Sequence, residues 1–345
     1  SLTTGRLRDQ WHGMSRTGTL GRLFAHTPTP AVEMHPQELA RRRLQDGDLV
    51  RVKSRRGALV LPVQASVAVM PAQAFVAMHW SSEWLGGANA PGVNTLLGTA
   101  ACPQSRQPEL KHATVRVERA ELPWALQAAV WWPADDALAL RERLDGLLHA
   151  QGWAYASVLP FGRDEGVQLG LQLRVAAAEA PSADTVAALA ALLGLHGEDA
   201  AGCLEYADAR GGRQHQLRRV RLRADGALAA VLLAGDTTSF PWLLGWLQGG
   251  ADARAFGPAL LRPGAQPPPA AGPGRGAVLC SCNDVAEADI ARALQGCAQA
   301  DPATQRAAVQ RATRCGTTCG SCLPALQRRL RAVDAVHTSA LKEPA

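Results

Sequence analysis

The chain has 345 residues, 47% of them hydrophobic, and 36 Lys+Arg against 30 Asp+Glu give a formal charge of +6. That length and apolar content suit two or three globular domains, each able to bury a core. The modest positive balance permits phosphate-rich ligands or acidic partners, but no stripe of basic residues interleaved with aromatics indicates nucleic-acid binding. The cations are 33 Arg and three Lys, a bias that reads first as coding preference. No apolar run is long enough for a membrane-spanning helix. The start, Ser-Leu-Thr-Thr, lacks the charged and apolar segments of a signal peptide and reads as the middle of a larger protein.

A first region, residues 1–119, opens on Thr3-Thr4-Gly5-Arg6-Leu7-Arg8-Asp9-Gln10-Trp11-His12-Gly13, followed by Ser15-Arg16-Thr17-Gly18. A Gly-Arg turn beside hydroxyls suits an anion cradle, in which Arg6 and Arg16 could clamp phosphate bidentately. An exposed strand end carrying arginines accounts for the same residues. A helix is expected over Pro36–Leu44, with Pro at its start and Gly47 beyond its end. Short Val- and Leu-rich runs at Leu49–Lys53, Ala58–Val63, Gln73–Met78 and Ala113–Glu118, separated by turn residues, predict a mainly β, barrel-like sheet.

A second region, residues 123–262, reads as α+β. Leu140, Leu144, Leu147 and Leu148 share one face of a helix over Ala137–Ala150. Ser182 can cap a helix that ends at Gly194. Val167–Val175, Gln214–Arg223 and Ala227–Leu233 alternate like strands. Trp131, Trp132, Trp242 and Trp246 are expected as core or interface anchors rather than a cofactor box. Residues 263–276 (RPGAQPPPAAGPGR) form a Pro/Gly-rich linker.

The third region, residues 277–333, holds the chemistry, and 334–345 is expected as a disordered tail. Six of the eight cysteines lie between 280 and 322, a clustering that argues for metal binding and a reducing, cytoplasmic setting over disulfides. The pattern is Cys280-x-Cys282, then Cys319-x-x-Cys322. Four thiolates in two short pairs satisfy a [2Fe–2S] cluster or a tetrahedral zinc. Cys-x-Cys is unusual for zinc, and the Gly-rich CGTTCGSC leaves amides free for cluster sulfurs, so iron–sulfur is favoured. Asn283 or Asp284 is expected to cap a helix through Gln295, Asp301-Pro302 to open a second, and Ser321 a third through Arg331. Cys297 and Cys315 read as buried thiols outside the pattern.

VLCSCNDVAEADIARAL with TRCGTTCGSCLPAL resembles the bacterioferritin-associated-ferredoxin-like [2Fe–2S] domain, a small all-α module found alone and appended to nitrate and nitrite reductases. The resemblance implies Cys280, Cys282, Cys319 and Cys322 as ligands. At the other end, TTGRLRDQWHGMSRTG, VEMHPQELARR, DGDLVRVKSRRGALVLPV, QAFVAMHW, VNTL and QPELKHATVRVE follow in the order found in the molybdopterin-dinucleotide-binding domain of bacterial nitrate reductases. That resemblance implies a double-psi β-barrel gripping one guanine dinucleotide arm of a molybdenum bis(molybdopterin guanine dinucleotide) cofactor. Thr4, Gly5, Arg6, Leu7, Arg8, Asp9, Gln10, Trp11, His12 and Gly13 match its cofactor loop, and Asn94 and Lys111 two later contacts. His79, Trp80 and Trp84 fall where the family's loop nears the active-site funnel.

The combination resembles the C-terminal part of an assimilatory, cytoplasmic nitrate reductase, whose periplasmic relatives lack the appended iron–sulfur domain. The family's [4Fe–4S] domain and molybdenum-ligating cysteine would lie in an upstream region outside this sequence, and Cys102 and Cys203 match no such ligand. Implied partners are that upstream region, nitrate as substrate of the whole enzyme, and a donor such as a flavoprotein reductase, ferredoxin or flavodoxin, with neither nucleic acid nor membrane. The linker would let the relay domain dock alternately with donor and catalytic body. A formate-dehydrogenase-type oxidoreductase, a non-catalytic electron-transfer module and a zinc-bearing tail are the alternatives.

Overall fold

The computed structural model describes residues 1–89, 91–162, 167–196, 202–208, 216–267, 275–297 and 300–340, with 332–340 as backbone alone. The chain divides into two compact units, Ser1–Gly21 with Thr27–Pro268, and Arg22–His26 with Pro269–Ala345.

The first unit begins with β1 (Leu2–Gly5), β2 (Val32–Met34), α1 (Pro36–Arg41), β3 (Leu49–Lys53), β4 (Ala58–Ala65), β5 (Ala74–Ala77), β6 (Leu85–Gly86), β7 (His112–Ala113) and β8 (Arg116–Arg119). Seven of these strands form one curled, half-barrel sheet in the order β7-β1-β5-β2-β4-β3-β8. β1 runs parallel to β5 and β2 parallel to β4, while the other pairs are antiparallel. Val50 and Val52 of β3 point inward and Arg51 and Lys53 outward, the period-two pattern that the sequence shows. α1 stops at Arg41, short of the expected Leu44. Arg43 takes a left-handed conformation (φ 56°) and the Leu44 amide bonds back to Leu39, which folds the buried Leu44 under the helix.

The unit continues through β9 (Trp124–Pro133), α2 (Ala134–Gln151), β10 (Tyr155–Phe161), β11 (Gln168–Ala177), α3 (Ala183–Leu192), β12 (Cys203–Asp208), β13 (Gln216–Leu222), β14 (Leu228–Gly235) and α4 (Phe240–Gly249). The second seven-stranded sheet is antiparallel, in the order β12-β13-β14-β9-β11-β10-β6. Leu126, Ala128 and Val130 of central β9 pack with Leu140, Leu144 and Leu148 of α2 and with Leu189 and Leu193 beside α3. The alternate residue Trp131 donates its indole N–H to Leu247 O of α4 at 3.0 Å, so β9 is covered on both faces. Ser182 caps α3 by accepting the Thr185 amide at 3.2 Å, as its position predicts.

The expected linker is anchored at its start. Trp242 and Ser239 both donate to Ala265 O, and the Gly264 amide donates to Asp236, which also pairs with the fully buried Arg218. Residues 268–274 of that linker lie outside the described residues.

The second unit contains β15 (Val278–Cys280), β16 (Val285–Ala286), α5 (Glu287–Leu294), α6 (Pro302–Thr313) and α7 (Leu323–Ala340). The expected all-α module therefore carries a two-stranded antiparallel ribbon. Asp284 sits at φ 47°, which turns the chain back on itself immediately after the first cysteine pair. Neither Asn283 nor Asp284 caps α5, contrary to expectation. The Asp289 carboxylate instead accepts the Ala286 amide at 3.0 Å, while Asp284 pairs with Arg275 at 2.9 Å. Asp301 caps α6 as predicted, accepting from Ala303 and Thr304. α7 continues to Ala340, past the expected helix end at Arg331, and residues 341–345 of the expected tail lie outside the described residues.

Buried Asn89 substitutes for a missing strand beside β4. Its side-chain oxygen accepts the Val60 amide at 2.9 Å and its NH2 donates to the Val60 carbonyl. Asn89→Ala is expected to destabilise the first unit by about 2–4 kcal/mol, because two buried backbone groups lose their partner. An unchanged chemical-denaturation midpoint would show that the ladder closes without it.

Candidate functional site

The residues matched to a cofactor loop follow β1, and the sheet decides which of them meet. Antiparallel pairing of β1 with β7 sets Thr3 opposite His112. The Thr4 amide thereby donates to Lys111 O at 3.1 Å, and the Thr4 hydroxyl to Leu110 O at 2.7 Å. Residues more than a hundred positions apart in sequence are thus neighbours, with Lys111 exposed beside the loop. Gly5 lies against Phe75, and a Cβ there would sit 3.1 Å from the ring. Arg6, Arg8, Trp11, His12 and Gly13 are exposed, whereas Gln10 is buried. Arg8 pairs with Asp9 at 3.2 Å, and the Trp11 amide donates to Thr17 Oγ1 at 3.1 Å, closing the loop on itself.

His79 holds the loop from beneath. Its buried Nε2 accepts the Leu7 amide at 3.1 Å. Burial, joined by the nearby Arg6 and His12 charges, keeps its pKa below the ordinary histidine value despite an opposing backbone contact at His12. The neutral imidazole is the form that can accept this hydrogen bond. The next residue, Trp80, gives its carbonyl to the Val93 amide at 2.9 Å and so fixes the short 3-10 turn Val93–Leu96 that bears exposed Asn94. Gly92 approaches too closely for a side chain, since a Cβ there would meet Trp80 O at 2.6 Å. The exposed Arg6, Arg8 and Arg16, the open space around Gly13 and the Lys111 ammonium are donors of the kind an anionic dinucleotide needs.

In the second unit the sequence pairs fall into two sulfur groups. Cys282 Sγ lies 3.3 Å from Cys319 Sγ at the surface. Cys280, Cys315 and Cys322 are buried, with their three sulfurs within 4.8 Å of one another. Cys315, read from sequence as a buried thiol outside the pattern, is buried and has its sulfur beside those of Cys280 and Cys322. The surround is apolar, built from Val285, Ile290, Leu294, Val309, Leu326 and Leu330. Burial pushes the Cys280 thiol up, but the Gly316 and Asn283 amides outweigh it and hold its pKa below the ordinary value. Ser321, through hydroxyl and amide, lowers Cys319. Burial raises Cys322, and it raises Cys282 to about 11. Each pair thus combines a thiolate-prone sulfur with a reluctant one, which suits a cation that deprotonates both. A tetrahedral centre with metal–sulfur bonds of about 2.3 Å needs neighbouring ligand sulfurs about 3.8 Å apart. The Cys282–Cys319 sulfurs lie 3.3 Å apart and the buried three within 4.8 Å, so the donors can close on a thiolate-held centre with small adjustments. Asn283 supports the loop by donating to Arg314 O at 2.7 Å and Thr318 Oγ1 at 3.2 Å.

One residue beside the cysteines had no sequence signal. His26 contacts Ser281 Oγ through Nδ1 at 2.6 Å and Leu279 O through Nε2 at 3.3 Å. The carbonyl can only accept, so Nε2 carries a proton and donates to Leu279 O.

Substituting His79 tests the support of the cofactor loop. His79→Phe should raise amide hydrogen exchange at Leu7 and its neighbours about tenfold, and His79→Gln, which retains an acceptor, should recover part of the protection. Because the folded-state pKa is depressed, protection should be full at neutral pH and fade as the pH falls below the ordinary histidine range. Exchange independent of both side chain and pH would remove His79 from this role.

Residues 1–114 match the molydopterin dinucleotide binding domain, and residues 278–332 match the BFD-like [2Fe-2S] binding domain. A nitrate reductase from Klebsiella oxytoca is 38% identical over 133 residues, which cover 39% of this chain and 14% of that protein. One from Synechocystis sp. is 40% identical over 116 residues, 34% of this chain and 16% of the relative. A periplasmic nitrate reductase from Desulfovibrio desulfuricans is 33% identical over 119 residues, 34% of this chain and 15% of the relative. The chain spans only 14–16% of the length of these curated relatives. It is homologous to nitrate reductases and carries two cofactor domains, a molydopterin dinucleotide-binding domain and a BFD-like [2Fe–2S] domain.

Proposed function

We propose that this chain is the C-terminal part of a molybdenum-dependent nitrate reductase of the assimilatory, cytoplasmic type. The observation that carries the reading is the presence of both cofactor domains in one chain whose matched relatives include nitrate reductases. Thr4–Gly13, Asn94 and Lys111 hold one guanine dinucleotide arm of the cofactor, in a first region that completes a double-psi β-barrel. Parallel pairing of β1 with β5 and of β2 with β4, within an otherwise antiparallel sheet, supports that barrel. Cys280, Cys282, Cys319 and Cys322 hold the [2Fe–2S] centre. When bound, the molybdenum cofactor supplies the two-electron reduction of nitrate to nitrite, and the cluster supplies one-electron relay from a flavoprotein, ferredoxin or flavodoxin.

The protein's own residues have defined tasks in this scheme. Arg6 and Arg8 bring charge to the dinucleotide phosphates, Lys111 offers a point charge beside Thr4, and buried His79 keeps the Leu7 amide from turning away. In the tail, the apolar surround keeps water from the buried sulfurs, and the Gly316 and Asn283 amides offset negative charge.

Chain expressed with iron available should bind about two irons and two sulfides, the stoichiometry of a [2Fe–2S] centre. It should show charge-transfer absorption and a reduced-state EPR signal, and Cys319→Ser should abolish them. A colourless chain with one zinc would instead assign the tail a structural metal. With the upstream region attached, Arg6→Ala and Lys111→Ala should each lower the guanine nucleotide released on denaturation severalfold without shifting the thermal midpoint. Retention at the level of the unsubstituted protein would exclude these residues from the dinucleotide site.

A further inference from the structure

We infer that the iron–sulfur centre has five thiols rather than four, with Cys315 as a reserve ligand that can take the place of Cys322. The inference rests on the reading that the tail holds a [2Fe–2S] cluster.

Cys315 is fully buried, and its sulfur lies 3.7 Å from that of Cys322, close to the edge of a tetrahedral thiolate centre. The same sulfur falls with those of Cys280 and Cys322 inside a group spanning no more than 4.8 Å. Its backbone is held in place. Arg314 ends α6 in a left-handed conformation (φ 59°), the Cys315 amide donates to Thr313 Oγ1 at 3.2 Å, and Gly316 follows at φ 78°. A Cβ on Gly316 would lie 2.4 Å from Leu323 Cδ2, so the turn that aims Cys315 inward is packed directly against the start of α7. Cys297, the second unit's other cysteine outside the four-residue pattern, bonds its thiol to Ala293 O at 3.8 Å, just past the end of α5. Position, rather than cysteine content, is what distinguishes Cys315.

Exchange is chemically balanced within the site. The iron–sulfur bond to Cys322 breaks as one to Cys315 forms, and the Cys315 thiol proton passes to the departing Cys322 sulfur. No iron changes oxidation state, and no outside reactant is consumed. The sulfur group that contains Cys315 holds Cys280 and Cys322, while Cys282 and Cys319 pair with each other.

The experiment compares iron and sulfide per chain, visible circular dichroism and EPR for the full chain and five variants. Cys315→Ser alone should keep the full cluster and its spectrum. Cys322→Ser should keep at least half the iron with a shifted spectrum, whereas the Cys322→Ser, Cys315→Ser pair should fall at least fivefold below that. Cys282→Ser should lose the cluster to the same extent with or without Cys315→Ser. Equal loss in Cys322→Ser and the Cys322→Ser, Cys315→Ser pair overturns the inference, and so does loss in Cys315→Ser alone, which would make Cys315 a primary ligand. Far-UV circular dichroism checks the fold of each variant, and Cys315→Ala replaces Cys315→Ser if the serine misfolds in the apolar pocket. An unsubstituted chain without iron would overturn the cluster reading itself, and the reserve ligand with it.

Discussion

A single corner of the first unit, His79-Trp80, constrains nearly everything around the loop that follows β1. The imidazole accepts the Leu7 amide and the following carbonyl accepts the Val93 amide. The corner therefore ties the loop after β1 to the turn carrying Asn94. The other restraint is β7, whose pairing with β1 sets Lys111 beside Thr4. The loop is held by hydrogen bonds to its backbone from below, which leaves the Arg6 and Arg8 side chains outside. Burial serves this arrangement directly, because a neutral histidine accepts an amide hydrogen bond and a protonated one cannot.

The tail solves a different problem with the same means. Its hydrophobic core and its thiol pocket are one structure, since Cys280, Cys315 and Cys322 pack with Ile290, Val309 and Leu326. A core of this size is small for an independent fold, and metal binding commonly contributes folding energy in such modules. The apolar surround makes Cys322 costly to ionise, whereas the amides of Gly316 and Asn283 outweigh burial at Cys280. Cys280 of β15 and Cys322 at the start of α7 thus bring the two ends of the unit to one sulfur pocket.

Elements specified by local chemistry were legible in the sequence. Ser182 and Asp301 cap their helices because a short polar side chain meets an amide two or three residues away, which requires no tertiary information. β3 and β4 follow from alternation and bounding turns. β9 and β10 were missed: both are nearly continuous apolar runs, and such runs do not distinguish a buried strand from a buried helix. α4 was hidden by its glycines and tryptophans, whose helix is stabilised by packing rather than propensity. Asn283 and Asp284 misled for the opposite reason. Each has a tertiary partner, Arg314 O and Arg275 respectively, that outcompetes the local cap. Both domain matches fall on segments whose motifs, the cysteine spacing and the Thr4–Gly13 run, stand out in the sequence. The placements of His26 and Cys315 were not legible, because only the folded chain brings the first beside Ser281 and the second beside Cys322.

β6 shows why the two sheets of the first unit function as one body. Leu85-Gly86 leaves the first region and pairs with Ala156 and Ser157 as the last strand of the second sheet. A Cβ on Gly86 would lie 3.1 Å from Leu148, so the strand is seated against α2 as well as β10. Trp84, just before it, is buried with Arg141 of α2 stacked 4.5 Å above its ring. The segment linking the His79 corner to this strand is only a few residues long, so the α+β sheet acts as a rigid abutment for that corner. An edge strand left open would also expose unpaired backbone. The second region thus has a structural role that neither cofactor domain supplies: it fixes the far end of the chain segment on which the loop after β1 rests.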